Sequence, residues 1–180
     1  IDLTPYESQG QFLEATGSLA LDRVNRVAYA GLSARTDEKM VRLWCEKMGF
    51  TPVIFETRSH TGLPIYHTDL VVFIGTEIAG IATKCILEPY RDTVLQHLSK
   101  THEIVELTAA QQQAFCGNSL EVLGANNERH LVMSDTAFNA LTAEQKATFG
   151  KHFKSIIHVP IPTIEQYGGG SARCLMMEML

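Results

Sequence analysis

One cysteine in this sequence stands in a setting that favours chemistry. Cys174 follows three consecutive glycines, 168–170, and then Ser, Ala and Arg. Glycines let the backbone approach a bound molecule at dihedral angles that other residues reach only with strain. The reactive form of cysteine is the thiolate, so the pKa of Cys174 must fall from about 8.5 beside a positive charge, which could come from Arg173, His67 or a cationic substrate. We predict that Cys174 is a nucleophile rather than a small buried side chain.

A histidine and an acid stand two residues apart, at His67 and Asp69. If a strand begins here, side-chain alternation points both of them to one face. A His-x-Asp pair alone is a weak indication of a site, and the other six histidines are most simply surface or helix-end residues. Glu14 is a carboxylate among apolar and small residues, where a capping or turn role and a functional role are equally open.

Arg35 lies between a predicted strand and a predicted helix, in Leu-Ser-Ala-Arg-Thr. A guanidinium in such a loop can hold a ligand carboxylate through two hydrogen bonds, although a solvated arginine at a helix start is the plainer interpretation. Thr36 is predicted to cap the helix that follows.

The remaining cysteines, Cys45, Cys85 and Cys116, lie in apolar or helical stretches and are predicted to be buried and inert. The four cysteines form no Cys-x-x-Cys pair and follow no signal-peptide pattern. Neither a disulfide framework nor a zinc site is therefore indicated, and we expect reduced thiols in the cytoplasm.

Composition narrows the class of protein. A chain of 180 residues that is 45% hydrophobic fits one domain with a sizeable core. The net charge of -5 and the scattered Lys and Arg residues leave no basic face for phosphates, so nucleic acid is not an expected partner. The best apolar stretch, 70–86, is broken by Glu77 and Lys84 and falls short of the roughly 20 residues of a membrane span, so no membrane association is expected.

A pattern of strand, strand, helix and strand occurs three times, in units of roughly forty residues that indicate a repeat architecture. The predicted elements are strands within 18–32, a helix over 36–48 and a strand over 52–55; strands over 70–76 and 78–86, a helix over 88–99 and a strand over 103–107; and strands over 119–123 and 130–134, a helix over 142–153 and a strand over 156–159. Stacking such units in a ring turns their leading segments toward one centre. The leading segments contain Glu14, His67 with Asp69, and Asn118, and Cys174 follows the third unit. We therefore expect these residues to converge.

These residues resemble the arginine deiminase-related amidinotransferase superfamily, whose five-bladed α/β propeller is called a pentein, and within it the bacterial citrulline-utilisation hydrolases. The motifs are Phe-Leu-Glu-Ala-Thr-Gly-Ser-Leu (12–19), Leu-Ser-Ala-Arg-Thr (32–36), Ile-Tyr-His-Thr-Asp (65–69), Cys-Gly-Asn (116–118) and Gly-Gly-Gly-Ser-Ala-Arg-Cys (168–174). They follow the family's order over nearly the whole chain, and the last of them is the most specific. The resemblance implies an α/β, pentein-type propeller of ββαβ repeats, with about three units in this chain.

The resemblance also implies roles for the candidate residues. Cys174 would be the nucleophile, His67 the general acid and base, and Glu14 a guanidinium-binding carboxylate that assists proton movement. Asp69 would be a second carboxylate that grips the guanidinium.

Two further positions match the family. Arg35 matches one that binds a substrate carboxylate, and Asn118 matches a recurring asparagine for which substrate contact and a turn role are both open. Deiminases proper have Glu-Gly-Gly-Asp where this chain has Ala-Thr-Gly after Glu14, so free arginine is in doubt as the substrate. Because five units are expected and three are present, residues 1–180 are predicted to be a single catalytic domain that forms the C-terminal portion of a pentein. An N-terminal segment with another guanidinium-binding residue is expected to be cleaved, absent or in another chain.

The expected function is a cysteine-dependent hydrolase of a small guanidino or ureido compound, acting on C–N bonds through a covalent thiouronium, with no metal or other cofactor. Homo-oligomerisation stays open. One alternative is an amidinotransferase that uses the same residues. Another is a non-catalytic binding module, because a ribosome-binding anti-association factor shares the pentein fold. The third is a folded fragment that is inactive alone.

Overall fold

Three sheets of three strands follow one another along the chain in a computed structural model, which describes residues 1–177. In each sheet the first two strands are antiparallel and the third runs parallel to the second. The strands are β1 (Ala20–Asp22), β2 (Val27–Leu32) and β3 (Thr51–Glu56); β4 (Val72–Ile74), β5 (Ile78–Ile81) and β6 (Glu103–Glu106); and β7 (Leu120–Leu123), β8 (Arg129–Ser134) and β9 (Ser155–Val159). The predicted α/β class and the three ββαβ units are confirmed.

One longer helix joins the second and third strands of each unit, since parallel strands need a crossover connection. The crossover helices are α2 (Glu38–Met48), α3 (Glu88–Leu98) and α6 (Ala143–His152). Shorter helices are α1 (Ala15–Ser18), α4 (Ala109–Gln113), α5 (Asp135–Ala140) and α7 (Pro162–Gly168), with 3-10 turns at Thr4–Gln9, Thr68–Leu70, Thr83–Cys85 and Ala172–Leu175. Within residues 1–177 no helix is long and apolar enough to cross a membrane.

Two helix caps test the sequence predictions. Thr142 caps α6 in a full capping box with Gln145, as the Thr-x-x-Gln pattern predicts. The prediction for α2 is wrong, because Asp37 rather than Thr36 caps it by accepting a hydrogen bond from the Met40 N–H at 3.1 Å. Thr36 is buried instead, and its hydroxyl donates to Ser18 Oγ at 2.8 Å.

The leading segment of the second unit differs from the prediction. Thr68–Leu70 forms a 3-10 turn and β4 begins only at Val72, so His67 and Asp69 do not lie on one face of a strand. The buried Thr68 hydroxyl explains the turn, because it donates to the Ser18 carbonyl at 2.7 Å and accepts from the Gly31 N–H at 2.8 Å. The second unit is thereby tied to the first at the level of its leading segment.

The three units share a main core, and a second, smaller hydrophobic cluster lies within the first unit. β1 lies beside β4, and β4 lies beside β7. The rings of Phe73 in the second unit and Phe149 in the third are 5.6 Å apart and both are buried. Because the units pack around their first strands, the segments that lead into those strands lie close together.

Candidate active site

The residues predicted to converge do so. Glu14 immediately precedes α1, His67 and Asp69 lie at the 3-10 turn before β4, and Asn118 precedes β7. Cys174 lies in the last 3-10 turn. Glu14 contacts His67, and Asp69 and Asn118 both contact Cys174.

The first pair is Glu14 and His67. Glu14 Oε2 lies 2.8 Å from His67 Nε2, and a carboxylate only accepts, so Nε2 carries a proton here. The imidazole packs against the backbone of Gly17 in α1, where a Cβ atom would clash with the ring. A residue with a side chain at position 17 would therefore displace the ring, whereas glycine leaves it in the orientation that reaches Glu14.

The Glu14 carboxylate also holds a guanidinium from the chain itself. Arg35 Nη1 lies 3.3 Å from the same Oε2 atom, and the Arg35 guanidinium stands over the Tyr66 ring at 4.9 Å. About half of the Arg35 side chain is exposed, and ion pairs at such exposed positions contribute little free energy. A second cation can therefore displace Arg35 from Glu14 at low cost.

Cys174 is accessible, and its sulfur contacts two groups. Sγ lies 3.5 Å from Asp69 Oδ2 and 3.2 Å from Asn118 Nδ2. Although the residue is exposed, surrounding protein atoms shield the thiol in part from water, which raises the pKa of Cys174, and the Asp69 charge raises it further. The hydrogen bond from Asn118 acts in the opposite direction, whereas the lowering expected from Arg173 or His67 does not occur in the ligand-free site. Of the three positive charges considered from the sequence, a cationic substrate remains.

Asp69 is a buried carboxylate with one unused acceptor. Its Oδ2 accepts from the Cys174 thiol, while Oδ1 has no hydrogen-bond partner among the described residues. Burial raises the pKa of Asp69, and His67 is the largest influence that opposes this shift. An unpaired buried carboxylate oxygen is costly, so this position favours a ligand that donates N–H groups.

Asn118 holds the segment that carries the cysteine. Its Oδ1 accepts from the backbone N–H groups of Ser171 and Arg173 at 3.1 Å each and of Cys174 at 3.4 Å. The glycines fit closely before this turn: Gly169 has a φ of +72°, and a Cβ on Gly170 would come within 2.8 Å of the Cys174 sulfur. The glycine run therefore serves the local packing around the thiol.

Some residues that support the site were not predicted. The Tyr66 hydroxyl donates to the Gly169 carbonyl. Glu165 in α7 accepts from the Ser171 hydroxyl and from the Thr136 hydroxyl, each at 2.6 Å. The available signal for α7 was Pro162, a residue favoured in the first turn of a helix, although the sequence does not indicate what Glu165 would bind.

The remaining cysteines are buried, as predicted. Burial raises the pKa of Cys45 to about 11 and that of Cys116 to about 12, and it also raises that of Cys85. These thiols stay neutral and out of contact with solvent at neutral pH.

The match to a known family covers the whole chain. The family model described as "N,N dimethylarginine dimethylhydrolase, eukaryotic" matches residues 1–180. The chain belongs to this family. The predicted pentein superfamily is therefore confirmed.

Solved structures share the fold. The arginine dihydrolase ArgZ of Cyanobacteria superposes with a TM-score of 0.71 at 17% identity, over 91% of this chain and 23% of that chain. The N-terminal domain of ArgZ bound to substrate superposes with a TM-score of 0.71 at 17% identity, over 92% of this chain and 56% of that chain. The dimethylarginine dimethylhydrolase of Pseudomonas aeruginosa with citrulline superposes with a TM-score of 0.58 at 17% identity, over 88% of this chain and 55% of that chain. This chain thus spans little more than half of these proteins at most, and a comparison with curated proteins gives no match.

Proposed function

We propose that this chain carries the reacting residues of a cysteine-dependent hydrolase that acts on arginine or a related guanidino or ureido compound. The observation that carries the proposal is the unpaired, buried Oδ1 of Asp69 beside the Cys174 sulfur. A planar cation with several N–H donors satisfies that oxygen and at the same time brings its central carbon to the thiol. The family description names a methylated arginine, which is a cation of this class.

Binding is the first step of the proposed mechanism. The substrate guanidinium donates to Asp69 Oδ1 and to Glu14, and it displaces the exposed Arg35 from Glu14. Arg35 is then free to bind the substrate carboxylate. A cation beside the sulfur favours the thiolate, which offsets the burial and the Asp69 charge that raise the pKa of Cys174. The thiol therefore loses its proton to solvent when substrate is present.

Attack forms a bond between Cys174 Sγ and the guanidinium carbon. The tetrahedral intermediate then loses one amine, to which His67 gives a proton as the C–N bond breaks. The product of this half-reaction is a thiouronium on Cys174 and a free amine. Glu14 Oε2, at 2.8 Å from His67 Nε2, holds the imidazole in place for this transfer.

Water completes the cycle. His67, now neutral, takes a proton from water, and the resulting hydroxide attacks the thiouronium carbon. In the resulting tetrahedral intermediate the C–S bond breaks while the hydroxyl oxygen gives its proton to solvent and becomes the carbonyl, which releases a ureido product and restores the thiolate. A positioned acid and base contributes about 10² to 10⁴ in rate. The nucleophile must stay reduced, which agrees with the cytoplasmic location expected from the sequence.

Other proteins of this fold give support. An ArgZ variant has been solved covalently bound to a reaction intermediate, and the Pseudomonas aeruginosa enzyme has been solved with citrulline, a ureido compound. A transferase would use the same first half-reaction with an amine in place of water, and no feature of the described residues favours it.

The test is turnover of arginine and of N,N-dimethylarginine by the purified protein, followed through the ureido product and the released amine. We expect product from at least one substrate and none from Cys174→Ser. His60→Ala, at an exposed position, is the matched control for His67→Ala and should keep the wild-type rate. Equal product from Cys174→Ser and wild type would rule out the covalent mechanism. Tight binding of both substrates without product would favour the binding module or the folded fragment that is inactive alone.

A further inference from the structure

We propose that Asn118 is a catalytic residue as well as a holder of the turn: its side-chain N–H donates to the Cys174 thiolate and stabilises the attacking form of the sulfur. This inference rests on the proposed role of Cys174 as nucleophile. It adds a second group, besides the substrate cation, that favours the ionised form of that cysteine.

The orientation of the Asn118 amide is fixed by its surroundings. Oδ1 accepts from the backbone N–H groups of Ser171, Arg173 and Cys174. Rotating the amide by half a turn would set its NH₂ group against these donors, which is unfavourable. Nδ2 must therefore point the other way, where it meets the Asp69 carbonyl at 3.3 Å and the Cys174 sulfur at 3.2 Å.

The amide makes two contacts through its two N–H bonds, and each has a different consequence. The contact with the Asp69 carbonyl joins the second unit to the third at the site. The contact with Sγ is present before any substrate binds, so the donor needs no reorganisation when the thiolate forms. Asn118 is fully buried, which strengthens a hydrogen bond to a charged acceptor.

The thiol changes its hydrogen bonding when it ionises. As a neutral group, the thiol donates to Asp69 Oδ2 and accepts from Asn118. As a thiolate it accepts only, and Asp69 is left as a repelling charge until the substrate guanidinium neutralises it. Among the described residues, Asn118 is thus the one whose side-chain N–H donates to the sulfur before the thiolate forms.

Other charged groups face the same sulfur. Asp69 opposes the thiolate, and burial raises the pKa of Tyr66, which a negative charge on Cys174 raises further. Arg173 adjoins Cys174 in sequence and, together with His67, favours the ionised form of Asp69. None of these residues is changed in a variant at position 118, so a change in the behaviour of the thiol reports on Asn118.

The test measures the ionisation of Cys174 from the pH dependence of its alkylation by iodoacetamide, followed on the Cys174 peptide without substrate. Asn118→Leu removes both the donor and the acceptor in a similar volume. A hydrogen bond to a charged group corresponds to about one pKa unit, so we expect the midpoint to rise by about that much. The loosened segment by itself would expose the sulfur and lower the midpoint toward that of a free thiol, so a net rise requires that loss of the donor outweighs the loosening. If Asn118 only held the turn, no donor would be lost and the midpoint would fall.

Asn118→Asp separates the role of holding the turn from the role of donating a hydrogen bond to the sulfur. Its carboxylate still accepts from the loop N–H groups, so hydrogen exchange across 168–174 should stay slow, while the midpoint rises because the donor is lost and a charge is added. Asn118→Leu should exchange faster in the same segment. A midpoint that rises in the Asp variant but not in the Leu variant would assign the effect to charge alone and overturn the proposal. Asn139→Leu, at an exposed position in α5, should change neither readout.

A measurement on the wild-type protein covers the case in which Asn118→Leu does not fold. The side-chain amide protons of Asn118 should shift in the NMR spectrum with the same pH midpoint as the alkylation of Cys174. Amide resonances that do not move through that midpoint would overturn the proposal. Because no readout uses turnover, a protein that hydrolyses no tested guanidine leaves this result interpretable.

Discussion

The Cys174 sulfur lies 3.5 Å from Oδ2 of Asp69, and burial raises the pKa of both groups. Two negative charges at this separation disfavour each other, so the pair retains a proton in the ligand-free state. A bound guanidinium changes this balance, because it offers one positive charge to both groups. The pair therefore links binding of a cation to activation of the nucleophile.

The first prediction concerns that pair. Asp69→Asn removes a charge that raises the pKa of Cys174, so the alkylation rate of Cys174 should reach its midpoint at lower pH than in wild type. The sign follows because a lower pKa gives more thiolate at a given pH. Turnover should nevertheless fall, since the variant lacks the carboxylate that binds the guanidinium. An unchanged or higher midpoint would contradict the role of the Asp69 charge.

The second prediction concerns selective labelling. Brief treatment with iodoacetamide should modify Cys174 well before Cys45, Cys85 and Cys116, because Cys174 is exposed and the other three thiols are buried. Peptide mapping gives the extent at each site, and complete labelling after unfolding is the control. Equal labelling of all four cysteines in the folded protein would remove the nucleophile assignment.

The third prediction compares two glycines. Gly17→Ala should leave the melting temperature little changed but reduce turnover strongly, because the new Cβ displaces the His67 ring from Glu14. Gly150→Ala is the matched control in α6, where a Cβ meets nothing within 4 Å. It should stabilise the protein by about 0.5–1 kcal/mol at unchanged turnover, because alanine favours a helix. Full activity of Gly17→Ala would show that the His67 orientation is not required.

The sequence predicts the regular elements well and the site geometry only in part. Alternation and helical period locate the strands and crossover helices because those patterns are local. The turn at Thr68 depends on hydrogen bonds to Ser18 and Gly31 in another unit, which no local pattern contains. Thr36 and Asp37 are both good capping residues, and the contact of Thr36 with Ser18 decides between them.

The ionisation of Cys174 could not be predicted for a similar reason. The neighbouring arginine in the sequence suggests a lowered pKa, whereas the dominant influences are burial and Asp69, which lies in a different unit. Glycine-rich sequence near a thiol indicates a site, but it does not indicate which charges the fold will bring to the sulfur.

The last prediction separates the two halves of the proposed reaction through His67. With an S-alkylthiourea, the leaving thiol needs little protonation, so the acid role of His67 is bypassed and its base role remains. His67→Ala should then accumulate a covalent adduct on Cys174, because attack proceeds while water lacks its base. Mass spectrometry of the quenched protein should find the mass of the transferred amidine carbon unit on the Cys174 peptide. The control is His60→Ala, which should turn the compound over without accumulation. If His67→Ala forms no adduct while wild type turns the compound over, His67 acts before attack, as the base that deprotonates Cys174.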